Sequence, residues 1–299
     1  MIRRTVREWG RLAYGSGAEQ IEETAAVRLA AVARALPLGG ADGSGILTLG
    51  RKDVKAGQMV GVLAAEGCAL EILPKIGDLD AGGVRRRLVH MLAVTHDLNV
   101  CAGALSELDW QRDDLLEILI RLFARMLIEA VRRGMPRRYV GHEDDLPVLR
   151  GRLNAARQFT RLAASPQFLA CRFDALSADI ALNRIMKAAV LRLQSLARTV
   201  ETRRTLTELA FAYADIRDVP VEALRFDDVI VDRTNARWRD LLALARLLLQ
   251  GRFQTTSGGA TTAFSLLFPM NTLFEAYVAQ VLTRVLRGSG QSVVKQGVK

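Results

Sequence analysis

The sequence predicts an α+β protein in three parts: a small β-rich N-terminal domain over residues 1–80, a largely helical middle over 81–258, and a third unit that opens at 259 with one well-marked helix. Three observations predict it. Short apolar runs broken by turn signals fill residues 45–76, the mark of strands. From Val84 onward the apolar spacing lengthens to the helical period. Glycine-bearing breaks, Gly77–Gly83 and Gly251–Gly259, separate the parts.

Residues 4–9 read as a first strand ending at Gly10. Residues 18–36 form an Ala-rich helix with Ile21, Ala25, Leu29, Val32 and Leu36 on one side. Gly39–Gly45 is a linker. It lacks the Lys-Ser/Thr that a phosphate-cradling P-loop requires, so the chain shows no nucleotide-hydrolysing motif of its own. Ile46–Leu49, Met59–Leu63 and Ala69–Leu73 are strands, the last two joined by a tight turn at Glu66-Gly67. Helices are expected over 84–96 and 111–133. The basic clusters Arg85-Arg86-Arg87, Arg132-Arg133 and Arg137-Arg138 flank them; each alone reads as a solvated helix end, and together they suit a phosphate-facing surface. His142-Glu143-Asp144-Asp145 reads as an acidic, solvated turn, because adjacent carboxylates seldom converge on one ion. Phe168–Phe173 is a strand. A helix follows Asp174–Asp179, capped by Ser177 or Asp179 and running to about Arg198. Further helices cover 201–214 and 234–250. The aspartates between them lack the regular spacing of a metal loop.

The chain has 299 residues and a net charge of +10, from 42 basic and 32 acidic side chains. That balance suits nucleic acid, and Arg suits phosphate through its forked donors. It equally suits a protein that is merely basic and soluble. No apolar run approaches the ~20 residues of a membrane helix, and the first residues lack a secretory core. Cys68, Cys101 and Cys171 are an odd number, widely spaced. They fit a reducing, cytoplasmic compartment and argue against disulfides or a zinc site. His90, His96 and His142 show no metal-ligand spacing with them.

The most distinctive stretch is Phe268–Ala279. Pro269 fixes the entry of a helix, Asn271 is placed to cap it, and Gly288 stops it. Phe274, Val278, Val281, Leu282, Val285 and Leu286 recur on one face, which is expected to be buried. Glu275 falls on the margin of that face, where a carboxylate is costly unless something binds it. Arg150 and Arg152 flank Gly151 in Leu149–Leu153, so both can approach a phosphate or a carboxylate closely. A structural salt bridge explains that pattern as well.

Four stretches in order resemble the McrC family, the nuclease subunit of the McrBC 5-methylcytosine restriction systems: Val62–Ile76 with Leu70–Ile76 in it, Leu146–Leu153, Asp174 through Leu182-Asn183-Arg184, and Leu267–Asn271 with Leu273-Phe274-Glu275. The resemblance implies docking of the N-terminal domain on an McrB-type AAA+ GTPase, stimulation of GTP hydrolysis by that partner, which binds the GTP, and restriction of modified DNA. It also implies that residues 259–299 begin a PD-(D/E)xK-like nuclease domain that uses Mg²⁺. The family's Asp…Asp/Glu-x-Lys core does not follow Glu275 in this sequence, so the nuclease is expected to be incomplete. Glu275 is then the auxiliary acidic residue of the first nuclease helix, or a partner for an Arg. Arg150 and Arg152 either organise the central domain or face DNA or the partner. The alternative function is a non-catalytic adaptor or DNA-binding protein.

Overall fold

The computed structural model describes residues 2–38, 45–98, 108–233, 235–249, 252–255 and 262–287. In chain order the elements are β1 (Ile2–Arg7), β2 (Arg11–Ala13), α1 (Glu23–Arg34), β3 (Leu47–Leu49), β4 (Asp53–Ala56), β5 (Met59–Ala65), β6 (Cys68–Leu73), α2 (Ala81–Thr95) and α3 (Leu115–Arg132). Then come β7 (Arg138–Leu146), β8 (Arg152–Leu153), α4 (Ala155–Thr160), β9 (Leu169–Ser177), α5 (Ala181–Leu196), α6 (Val200–Ala212), α7 (Arg239–Leu249), β10 (Arg252–Thr255), β11 (Thr262–Pro269) and α8 (Met270–Val285). The α+β class holds. No described helix is long and apolar enough to cross a membrane.

The central sheet has the order β1-β6-β5-β11-β10. β1 runs parallel to β6, and the other neighbours are antiparallel. Every residue of β5 and β6 is buried, because both faces of this sheet are covered. Val60, Val62, Ala64, Ala69, Phe264 and Leu266 point into one core with α2, α3, α5 and α7. Met59, Leu63, Leu70, Ile72 and Leu267 point into a second core with α1 and the small sheet β2-β4-β3. The strict alternation along each strand is what divides them.

One residue breaks the apolar pattern on the helix-facing side. Glu71 is completely buried. Arg85 of α2 meets it with two parallel bonds, Nε to Oε1 at 2.9 Å and Nη2 to Oε2 at 2.7 Å. Thr5 of β1 donates to Oε2 at 3.0 Å, and the first amide of α3, Leu115, donates to Oε1 at 2.9 Å. The remaining Arg85 donor reaches the Trp110 carbonyl at 2.9 Å. Burial works against the Arg85 charge, but the bonds and attraction from Glu71 outweigh it and raise its pKa. Arg85 therefore departs from the expected solvated cluster: it lies one-third of the way along α2, on the face turned to the sheet. The network continues at Asp114, which caps α3 through the Glu117 amide and accepts from Arg198 at 2.5 Å. Glu117 in turn accepts from Thr199 Oγ1 at 2.7 Å, tying α3 to the start of α6.

The expected boundary at 258–259 falls between two strands that pair with each other and continue the N-terminal sheet, since β11 lies against β5 from Phe264↔Ala64 to Pro269↔Met59. Residues 252–255, expected in a flexible boundary, form β10. The Glu66-Gly67 turn joins β5 to β6 as expected, with Gly67 at φ 72°. Residues 39–44, Cys101, residues 256–261 and the tail 291–299 lie outside the described residues.

Glu71→Ala would strand the Arg85 guanidinium in an apolar layer. It is expected to cost about 3–5 kcal/mol, measured by urea unfolding, and Glu71→Ala with Arg85→Met is expected to recover much of that loss. A cost of under about 1 kcal/mol for the single change would contradict the account.

Candidate functional site

β7, β9 and β8 form a separate three-stranded sheet in the order β7-β9-β8. β7 and β9 pair along nine positions, from Arg138↔Ser177 to Leu146↔Leu169, a ribbon roughly 30 Å long at ~3.4 Å per residue. The segment His142–Asp145, expected as a solvated turn, is the outer half of β7. It reads as a loop because neither face of the ribbon meets a core, so the strand carries no apolar alternation. Within 138–177 only Leu162, Ala170 and Cys171 are buried. The ribbon is held by its own ion pairs instead. Arg172 Nε donates to Glu143 at 2.7 Å across the strands, and Arg157 of α4 meets Asp145 at 2.8 Å.

The Arg-Gly-Arg stretch is the turn that folds back along β9. Gly151 has φ 69°, and an added Cβ would stand 2.4 Å from the Arg172 carbonyl oxygen. Only glycine fits that crossing. The Arg150 guanidinium lies 4.0 Å from the Phe173 ring centroid, while His142 stacks with the same ring at 5.6 Å. The Arg150 amide donates to the buried Cys171 sulfur at 3.3 Å. Arg150 is thus held by the ribbon. Arg152 sits on the edge strand beside Arg172, exposed and without an ion pair to a described residue.

The base of the ribbon is secured by the Asp…Leu-Asn-Arg stretch. Asn183 is fully buried and donates to the Pro136 and Ala178 carbonyls at 2.8 and 2.7 Å, clamping the strand entering β7 to the strand leaving β9. Arg184 grips Asp179 at 2.7 and 2.8 Å. That hydrogen bond holds the Asp179 carboxyl below its ordinary range, against a smaller opposing effect of burial, with the Arg217 amide assisting. Asp174 to Ser177 belong to β9 rather than to a lead-in, and α5 begins without a side-chain cap.

Glu275 is not where its spacing suggested. It is exposed, and among the described residues it makes no ion pair or hydrogen bond. The helix α8 buries Leu273 and Ala279 and leans Met270 and Tyr277 on the core, with His90 of α2 meeting Tyr277 edge to face. The expected buried stripe faces outward, with Phe274 at 53% exposure. Asn271 does not cap the helix; its oxygen accepts from Gln58 at 2.6 Å. No described bond joins Glu275 to Arg150 or Arg152. Among the described residues no three His, Cys, Asp or Glu side chains gather to hold a metal.

Sequence reasoning missed the apolar decoration of the ribbon. Tyr139, Val148, Leu149, Phe159, Phe168 and Leu176 are all exposed, Phe159 at 77%. Their signal was present as apolar residues at unpaired spacing, but no pattern marked them as a surface.

A family model described as McrBC 5-methylcytosine restriction system component matches residues 54–298. The chain is similar to one in the cryo-EM structure of the Thermococcus gammatolerans McrBC complex, at 24% identity and a TM-score of 0.76, over 95% of this chain and 88% of that chain. It is also similar to one in a refined half-complex from the tetradecameric assembly of Thermococcus gammatolerans McrB AAA+ hexamers with bound McrC, at 25% identity and a TM-score of 0.76, over 95% of this chain and 70% of that chain. No curated protein matches.

Gly151→Ala is expected to cost about 1–3 kcal/mol and to speed amide exchange at Arg150 and Asn154, leaving β5 and β6 unchanged. An unaltered exchange pattern would contradict the tight crossing. The Asp179 carboxyl is depressed when folded, so its contribution is present above about pH 4, the unfolded value, and is lost as pH falls through the folded one. Asp179→Asn should therefore lower Tm at pH 7 and flatten its decline below about pH 4; identical Tm–pH curves would contradict this.

Proposed function

The chain belongs to the McrBC 5-methylcytosine restriction system component family, and from that premise we propose that it is the McrC-type subunit of a DNA restriction assembly, docking on an McrB-type AAA+ GTPase and raising its GTP turnover. The observation that carries the docking is the ribbon. Resemblance alone assigns the contact to residues 1–80, where both faces of the central sheet are already covered. The ribbon, in contrast, holds eight of the eighteen large apolar side chains that are exposed among the described residues. Such a concentration marks an interaction surface. A narrow antiparallel ribbon is also a shape that can enter the opening of a ring, and its exposed Arg152 offers a cation to an anionic partner group.

The partner supplies the nucleotide chemistry and, by the resemblance, the recognition of the modified base. DNA is the substrate of the assembly. Mg²⁺ and a carboxylate–lysine centre belong to the family's cutting reaction. The described residues assemble no such centre, so no cutting step is assigned to them. The second reading is an adaptor that docks without cutting.

The test is GTP turnover by the cognate McrB-type partner with and without this chain. A clear rise is expected from the wild-type chain. Leu149→Asp with Phe159→Asp should abolish the rise while Tm stays within a few degrees, because both side chains are exposed. No rise with the wild-type chain would refute activation. A full rise with the double variant would refute docking through the ribbon.

A further inference from the structure

The turn between β1 and β2 holds a backbone outlier. Trp9 has φ 61°, in the left-handed region where a bulky side chain is strained. The turn is closed by the Gly10 amide donating to the Arg7 carbonyl at 2.8 Å. Trp9 therefore occupies the third turn position, the one that glycine or asparagine normally fills when φ is positive. Burial does not offset the strain. Trp9 is 53% exposed, whereas Trp110 and Trp238 are 7% and 0% exposed.

What surrounds the ring is cationic. Lys55 Nζ stands 5.4 Å from its centroid. Lys55 is in register with Arg11 on β2 and Thr48 on β3, so these three share one face of the small sheet. The opposite face, with Leu12 and Val54, is buried in the second core. Arg51 and Lys52, both exposed, sit in the turn between β3 and β4. The countercharges here are engaged: Asp53 pairs with Arg11 at 3.0 Å, and Glu8, beside Trp9, accepts from the Lys75 amide at 2.9 Å.

We propose that this face binds single-stranded nucleic acid, with Trp9 stacking on a base and Lys55, Arg51 and Lys52 meeting phosphates. An aromatic platform beside cations is the chemistry that unpaired strands require, because stacking needs an open base face and the cations match the polyanionic backbone. An apolar protein partner would call for an apolar surround, and here the surround is charged. Strain at a half-exposed aromatic residue points to a ligand that uses it. This surface is independent of the ribbon and of partner docking.

The test uses the full chain with a labelled oligothymidylate and three readouts: anisotropy, tryptophan emission and Tm. Only one tryptophan of the three is exposed, so stacking should quench the wild-type emission. Trp9→Gly should weaken binding about tenfold while Tm holds or rises, since glycine suits this φ. Trp9→Phe should keep most of the affinity, and Lys55→Gln should lower the salt dependence of binding by about one unit of slope. Duplex DNA of equal length should bind more weakly. Unquenched emission, wild-type affinity in Trp9→Gly, tighter binding to the duplex, or a lower Tm in Trp9→Gly together with lost binding in Trp9→Phe would each overturn the proposal.

Discussion

The buried pair of Glu71 and Arg85 is the interaction on which the architecture depends. A carboxylate in the middle of a sheet, facing a helical layer, is tolerable only if each of its oxygens is occupied. Here Arg85 bonds to both oxygens, Thr5 adds a donor to one, and the first amide of α3 adds a donor to the other. The pair adds little net stability over an apolar alternative. What it adds is register: β1, β6, α2 and α3 can meet in only one way if none of these groups is to be left unpaired. Asp114 and Glu117 extend the same logic to Arg198 and Thr199, so the start of α6 is indexed to the first turn of α3.

That rigid body is the platform for a ribbon that has almost no core of its own. Asn183 bridges the two chain segments at the ribbon's base, Arg184 locks Asp179 beside it, and Gly151 permits the turn at its edge. The stretches that resemble a known family are thus chiefly devices of construction. Of the side chains left available for a partner, Phe159 lies between those stretches and Leu149 lies within one. Rigidity at the base and exposure along the ribbon together describe an element built to be presented.

Much of the fold was legible in the sequence, and the failures share one cause. β5, β6 and α3 declared themselves because local apolar periodicity and burial coincide in them. His142–Asp145 read as a turn because a ribbon with two exposed faces has no apolar alternation to show. The helix α8 presented a clean apolar stripe, yet Leu273 and Ala279 are the buried residues, since the helix packs through Met270, Leu273 and Tyr277 and turns the stripe outward. Glu275 is consequently exposed rather than at a buried margin. Glu71 and Arg85 are fourteen residues apart and on different elements, so no local pattern links them. The strain at Trp9 is a property of φ, which composition does not carry. Of the three candidate site residues, Arg150 proved to be held within the ribbon, Arg152 stands exposed on its edge, and Glu275 lies on a different element altogether.

The central sheet is covered on both faces, and the ribbon is the part proposed to meet the AAA+ partner. Hydrogen–deuterium exchange of the chain, alone and bound to an McrB-type ring, tests it most directly. The account predicts that binding slows exchange within residues 138–177 and leaves β5 and β6 as they were. Protection confined to residues 2–73, with the ribbon exchanging freely in the complex, would contradict it.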